Sequence, residues 1–538
     1  MAAPAAQIAF QTLPRTQQPP MINPWLVAIT VTLATFMELL DTAIANVSLP
    51  HIAGGLATSS DESTWVLTSY LVSNAIVLPL SAWLSRVFGR KNYYMTCVAL
   101  FTVSSLMCGL APSLGLLIFF RVLQGIGGGG LAPVEQAILV DTFPPHKRAA
   151  AFALYSMAIV TAPAIGPPLG GWITDSFSWR WVFFINVPIG LVSLLLTSRI
   201  VSDPPEFKRE VEAARSAGKL KIDYVGILLI AVGFACLEVV LDRGQREDWF
   251  ESQFIVAFFA VAIAALLLAI VWELHHPDPV VELGLLKERN FAIANAYYFL
   301  FGFVLFGSTV LIPQMLQSLY GYAATDAGLV LGPGAMVIVF MAPVVVKLVE
   351  RIPVSRLIAA GFTILGGAMW YYASFNLATD YAHEALARVV QGFGIALLFV
   401  PTSQLAYSYL PKGKNNKASS LTNLFRNQGG SFGIAFVTTM LERRTQFHRT
   451  VIASHVTSSD LSLKAALANL SSQLVQHGFS AADAAVRALA QVEALIERQA
   501  ALYAFLDCFW LLGLVALCGP LLALFIRKFT QAQGGAAH

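Results

Sequence analysis

The chain has 538 residues, of which 57% are hydrophobic and only 12% charged. Soluble domains carry about a quarter charged residues, so this composition excludes an ordinary soluble protein. A formal charge of +3, with the basic residues scattered, is too small to imply a nucleic-acid partner.

The first 20 residues are polar and hold Pro14, Pro19 and Pro20, without the basic start, short apolar core and cleavage site of a signal peptide. Residues 1–24 read as a cytoplasmic tail, and the first apolar block as an uncleaved anchor. Beyond it the apolar residues fall in blocks about 20 long, enough to cross a ~30 Å hydrocarbon core as helix. The reading is an all-α integral membrane protein of fourteen spans. Six lie near 25–47, 64–85, 93–112, 116–140, 149–173 and 180–200, and two near 223–242 and 253–274. The last six lie near 291–319, 327–349, 356–375, 384–409, 418–441 and 501–526. An even number puts both termini on one side. Arg86, Arg90 and Lys91, then Lys147 and Arg148, then Lys208, Arg209, Arg215, Lys219 and Lys221 all fall on that side. So do Lys287 and Arg289, Lys347, Arg351 and Arg356, Lys412, Lys414 and Lys417, and finally Arg527 and Lys528. The opposite loops offer little beyond Arg180, Arg243 and Arg246, so the positive-inside rule makes both termini cytoplasmic.

An internal repeat organises the spans. Arg121-Val122-Leu123-Gln124-Gly125-Ile126-Gly127 recurs as Arg388-Val389-Val390-Gln391-Gly392-Phe393-Gly394, a shift of 267 residues that also carries Pro144 to Pro411, Lys147 to Lys414 and Gly166 to Gly433. Two six-helix halves related in parallel are an architecture of alternating-access transporters. The halves cover 25–200 and 291–527, and the helix pair in 223–274 is an insertion between them. Residues 442–500 form a polar excursion on the outer face. Leu461, Ala465, Leu467, Leu470, Leu474 and Val475, and again Ala485, Leu489, Val492, Leu495 and Ile496, recur at helical spacing. Two amphipathic helices follow, either a hairpin standing off the membrane or a cap on the transporter.

Several motifs resemble the fourteen-span drug–proton antiporters of the major facilitator superfamily. They are Leu40-Asp41-Thr42-Ala43-Ile44-Ala45-Asn46-Val47-Ser48-Leu49-Pro50 in the first span, Arg121, Gln124 and Gly125 in the fourth, and Gly166-Pro167-Pro168-Leu169-Gly170-Gly171 in the fifth. Leu241-Asp242-Arg243-Gly244, Asp248-Trp249-Phe250 and the stretch from Asn423 to Gly433 resemble the same family, and the likeness covers essentially the whole chain. It implies the major facilitator fold and proton-coupled export of hydrophobic drugs or toxic small molecules across a bacterial inner membrane, with Gly166, Pro167, Gly170 and Gly171 as the exporter motif. Its tripartite branch implies a periplasmic adaptor and an outer-membrane channel as partners, with 442–500 as the docking segment. One stretch departs: where the family has an acidic residue in the loop between spans two and three, this chain has Arg86 within Ala82–Arg90. No salt-bridge latch is expected from that position.

The charges carry a reading of their own. An ionisable side chain at mid-membrane costs at least ~2.5–3.5 kcal/mol, so it marks a pathway or a proton relay. Glu38 and Asp41 are three residues apart on one face of the first span, with Ala34, Ala45 and Ser48. Arg121 lies about six residues, or ~9 Å, in from the outer end of its span, at the depth of Asp41. A carboxylate beside a cation holds or releases a proton as the cation moves, so Asp41, Glu38 and Arg121 are the coupling candidates. The alternative is a static ion pair. Glu135 is a candidate for substrate binding or the relay, and Arg426 and Asp507 read as buried packing or gating charges.

Phe36, Trp65, Tyr70, Tyr297, Tyr298 and Phe299 are the aromatic candidates for a central substrate cavity. Gly125 to Gly130 satisfy a nucleotide-loop pattern but lie in a span, where small residues serve helix packing. Cys97, Cys108, Cys236, Cys508 and Cys518 lie in apolar blocks and read as packing residues. His146, His275, His276, His448 and His455 read as solvated loop residues. No Walker-type loop, metal-spaced cluster or catalytic triad is legible, so neither an enzyme nor a cofactor is expected; the competing function is a substrate-specific facilitator or importer of the same fold.

Overall fold

The structure is a computed structural model that describes residues 23–203, 209, 223–277, 279–410, 414–456 and 460–527. The tail before Asn23, most of the connection at 204–222, Lys412 and Lys528 lie outside the described residues. Among those described, every regular element is helical. Lipid offers no hydrogen bonds to a bare backbone, and a helix satisfies its own.

The N-terminal set comprises α1 (Pro24–Leu56), α2 (Trp65–Phe88), α3 (Arg90–Leu110), α4 (Leu114–Gly128), α5 (Leu131–Thr142), α6 (Arg148–Ser176) and α7 (Asn186–Ile200). The fourth span is thus two helices, interrupted at Gly129 and Gly130. The inserted pair is α8 (Tyr224–Arg243) and α9 (Gln253–His275). The C-terminal set comprises α10 (Arg289–Ser318), α11 (Ala324–Arg351), α12 (Val354–Tyr372), α13 (Tyr381–Ala406), α14 (Asn415–His455), α15 (Leu461–Gln476) and α16 (Ala481–Ala523). Among the described residues twelve helical segments are long and apolar enough to cross a membrane. The helices α12 and α14 stand where the eleventh and thirteenth spans were expected, but α14 is markedly more polar.

Small residues set the closest approaches. A Cβ on Gly125 would lie 2.0 Å from Ser73 Oγ and 2.4 Å from the Tyr70 carbonyl, so glycine lets α4 press onto α2. This is the packing role of the glycine run. Gly166 and Gly170 do the same for α6 against Ala43 and Ile44 of α1, which places the Gly166–Gly171 stretch beside the turn that carries Asp41.

Hydrogen bonds between the two sets gather toward the Lys/Arg-rich end. Asn416 Nδ2 donates to Ser85 Oγ (3.1 Å), Asn415 Nδ2 to Asp141 Oδ1 (2.8 Å) and Ser420 Oγ to the Leu78 carbonyl (3.0 Å). Asp141 also pairs with Arg90. A polar latch is therefore present at this end, and Asp141 is its acidic member. Glu282 pairs with Lys414 and Lys417 in the same region. Partial burial pushes the Glu282 carboxyl up, but the two ammonium groups outweigh this and hold it below the usual carboxylate range.

The segment 442–500 is built differently from the expectation in one respect. Its boundaries are not helix ends: α14 runs unbroken from Asn415 to His455, and α16 from Ala481 to Ala523. With α15, which has no buried residue, they make a three-helix projection standing off the bundle. Arg449 Nη2 joins Glu493 Oε1 at 2.7 Å across it. At its foot, Asp507 accepts from Arg444 (2.6 Å) and meets His448 (2.7 Å). Asp507 is a third exposed, so it is not the buried charge expected, and His448 is a paired side chain rather than a solvated one.

Candidate proton and substrate site

The first span supplies two carboxylates one turn apart, and the helices around it supply their donors. Arg121 Nη1 donates to Asp41 Oδ2 at 2.6 Å, Asn186 Nδ2 to Oδ1 at 2.6 Å and Gln124 Nε2 to Oδ1 at 3.0 Å. Of the rest of the guanidinium, Nε donates to the Val66 carbonyl at 2.9 Å and the Tyr70 ring covers the group with 4.4 Å between guanidinium carbon and ring centre, while the buried Nη2 has no hydrogen-bond partner. Arg121 is fully buried and Asp41 only 1% exposed, so the pair is sealed from water in this state. A buried pair is tolerated when further hydrogen bonds accompany the charge contact, and here Asn186 and Gln124 supply two to the carboxylate.

Glu38 belongs to the same cluster. Its Oε1 accepts from Asn74 Nδ2 at 3.0 Å and from the Tyr70 hydroxyl at 3.3 Å. Tyr70 therefore touches both Glu38 and Arg121, bridging the two charged groups. Glu135 sits elsewhere, on α5, where Thr32 Oγ1 donates to its Oε1 at 2.6 Å while Oε2, fully buried, has no partner. Across the seam between the sets, Arg426 of α14 donates from Nη1 to the Tyr155 hydroxyl of α6 at 3.1 Å. Arg426 thus makes a contact between the two sets.

The aromatic candidates divide. Tyr298 lies in the core beside Phe399, its hydroxyl 2.7 Å from Ser403 Oγ. Trp65 stacks under Arg243 at 4.3 Å, and Phe36 packs half-buried in the apolar cluster around Leu40 and Ile44. Tyr297 lies apart from the charged cluster. Its hydroxyl donates to the Gly519 carbonyl at 3.1 Å and its ring stacks on Phe362, so it is consumed in packing α10 onto α12 and α16. Phe299, with Leu300, Phe425 and Leu521, lines an apolar crevice of about 490 Å³ on the flank of the C-terminal set. Asn74, Asn186, Thr32 and Tyr155 went unnoticed in the sequence. Each stands among several other uncharged polar residues of its span, such as Ser69 and Ser73 beside Asn74, so nothing in the sequence singled it out.

Two sets of membrane-length helices packed around buried, hydrogen-bonded charges have the architecture of a membrane transporter. The Major Facilitator Superfamily model matches residues 31–434. The multidrug export protein EmrB of Escherichia coli (strain K12) is 40% identical over 443 residues, 82% of this chain and 85% of that one. The fatty acid resistance protein FarB of Neisseria gonorrhoeae is 37% identical over 452 residues, 84% of this chain and 87% of that one. The solved structure of the proton:xylose symporter XylE has the same fold, with a TM-score of 0.57 at 14% identity, covering 93% of this chain and 94% of that one. The chain belongs to the major facilitator superfamily, in its EmrB/EmrY-type family.

Proposed function

We propose that this protein is a proton-coupled antiporter exporting hydrophobic drugs or toxic small molecules across the bacterial inner membrane, with both termini cytoplasmic. The chain then crosses fourteen times, as bundles 25–200 and 291–527 with the inserted pair of 223–274. The observation that carries the reading is the sealed Asp41–Arg121 pair with Glu38 one turn away. Breaking the pair as the cavity opens frees a carboxylate to take a proton, and re-forming it expels that proton. The names of the relatives, a multidrug export protein and a fatty acid resistance protein, support export as the direction. Glu135 and Tyr298 serve the substrate path on either side of the seam, and Gly166, Pro167, Gly170 and Gly171 set the packing of the exporter helix against α1. The projection at 442–500 serves as the dock for a periplasmic adaptor leading to an outer-membrane channel.

Inside-out vesicles test this directly. Energised vesicles accumulate a hydrophobic drug, and an uncoupler abolishes the accumulation. Accumulation that persists with the uncoupler, or that is absent while downhill flux continues, overturns proton-driven export in favour of a facilitator.

A further inference from the structure

The 267-residue shift that carries Arg121 to Arg388 and Gln124 to Gln391 also carries Asp41 to Ser308. The geometry obeys the same correspondence. Gln391 Nε2 donates to Ser308 Oγ at 2.7 Å, as Gln124 Nε2 donates to Asp41 at 3.0 Å. Arg388 Nη1 donates to Gln391 Oε1 at 2.5 Å, as Arg121 Nη1 does to Gln124 at 2.9 Å. The charge balance differs. In the N-terminal half the guanidinium faces its own carboxylate; in the C-terminal half a hydroxyl stands in that place.

Arg388 is nevertheless 3% exposed. Among the described residues its one hydrogen bond is to Gln391, and no carboxylate pairs with it. Glu384 lies one turn away on α13, but both of its carboxylate oxygens are without a hydrogen-bond partner, so the two form no ion pair. Together with Arg388, Ile159, Val160 and Pro163 of α6 and Leu305, Phe306 and Thr309 of α10, all uncharged, line a small cavity, and Tyr372 of α12 is the titratable side chain near Arg388 on another helix. The cavity is a space of about 10 Å³, close to the room one water needs. One wall of that space belongs to the N-terminal set and the rest to the C-terminal set, so separation of the sets widens it.

An ionised group held in a membrane protein without a counter-ion is costly, and such groups mark ligand pathways. We propose that Arg388 recognises the carboxylate of an amphipathic substrate when the halves part along this seam. The planar guanidinium suits two-point recognition of a carboxylate, and Ile159, Val160, Leu305 and Phe306 take the apolar body. The proposal rests on the export reading and gives it a substrate class.

The test uses the full-length chain in nanodiscs of phosphatidylcholine, with 1-naphthylacetate and its uncharged amide as a matched pair of probes. Wild type binds the carboxylate at least tenfold more tightly than the amide. Arg388→Gln brings that ratio close to one, and so does Ser308→Asp, which supplies the internal anion that the N-terminal half has. Arg388→Lys retains part of it. A ratio that stays at the wild-type value in both Arg388→Gln and Ser308→Asp overturns the proposal, as does an equal loss of affinity for both probes. Displacement of naphthylacetate by phosphatidylglycerol at the molar ratio of a native membrane assigns the site to a lipid headgroup, which also overturns it. Export is judged separately, by uncoupler-sensitive uptake of tetraphenylphosphonium into inside-out vesicles, so the two readings fail in different assays.

Discussion

Asp41 and Arg121 are joined at 2.6 Å with neither side chain open to water, and Asn186 approaches the other carboxylate oxygen at the same distance. A proton from solvent therefore reaches this carboxylate only when the cluster opens. Asp41→Asn removes the titratable group and leaves Arg121 uncompensated. Uphill export falls at least tenfold, and the protein loses about 3–5 kcal/mol of stability, the usual cost of orphaning one member of a buried pair. Asn186→Ala removes one donor and costs about 1–3 kcal/mol while keeping proton dependence. Vesicle uptake and thermal unfolding in detergent read the two effects apart; near-normal uphill export by Asp41→Asn makes the pair purely structural.

Glu135 has one oxygen on Thr32 and the other without a partner. Glu135→Gln keeps the shape and the Thr32 contact but removes the charge. The affinity for tetraphenylphosphonium falls about tenfold, equivalent to about 1.4 kcal/mol, and that for a neutral drug of similar size changes much less. Equilibrium binding of both compounds checks this, and equal changes would remove Glu135 from cation recognition.

The Glu282–Lys414–Lys417 cluster has a definite pH signature. Because the folded carboxyl titrates below its unfolded value of ~4.3, its contribution is fully present above that value. It fades as pH falls through the lower folded value. The cluster is partly exposed and water screens it, so the gain is about 1 kcal/mol or less. Thermal unfolding of wild type and Glu282→Gln should differ at pH 6 and converge as the pH drops below 4. A gap that widens on acidification contradicts the assignment.

Replacing 446–496 by about eight Gly/Ser residues joins α14 and α16 within two continuous helices. The Arg444–Asp507 contact survives below the cut, and such a linker spans about 16 Å. The shortened protein therefore inserts and binds drug, but loses adaptor cross-linking and drug resistance in intact cells. Full resistance with the adaptor still captured would leave the projection without a docking role.

Orientation is checked by single cysteines. Ser472→Cys on α15 reacts with an impermeant maleimide added to intact cells, and Lys287→Cys does not. Labelling of the second variant reverses the membrane orientation inferred from the loop charges.

Most span positions were legible because a lipid core demands about 20 apolar residues at a time, a signal that tertiary packing does not blur. The Asp41–Arg121 contact was legible for a related reason: two lone charges at one depth have few partners besides each other. Asn186 and Asn74 were not, because an amide costs far less to bury than a charge and so leaves a faint trace in composition. The continuity of α14 and α16 was hidden as well. Helical hydrogen bonding is local and runs on regardless of whether side chains turn from apolar to polar, so the change in composition at 442 marks the water line and not a helix end. Tyr297 and Phe299 show a further limit, since an aromatic ring suits packing and binding equally well.

The two unbroken helices have a mechanical consequence. About 20 residues of α16 precede its apolar stretch, close to 30 Å of rod at 1.5 Å per residue, and that rod is the same helix that packs against α12 inside the bundle. No joint separates tip from base. A tilt of the C-terminal bundle by about ten degrees sweeps the far end of such a rod by about 5 Å, so the projection works as a pointer that reports the bundle's posture to anything attached beyond the membrane.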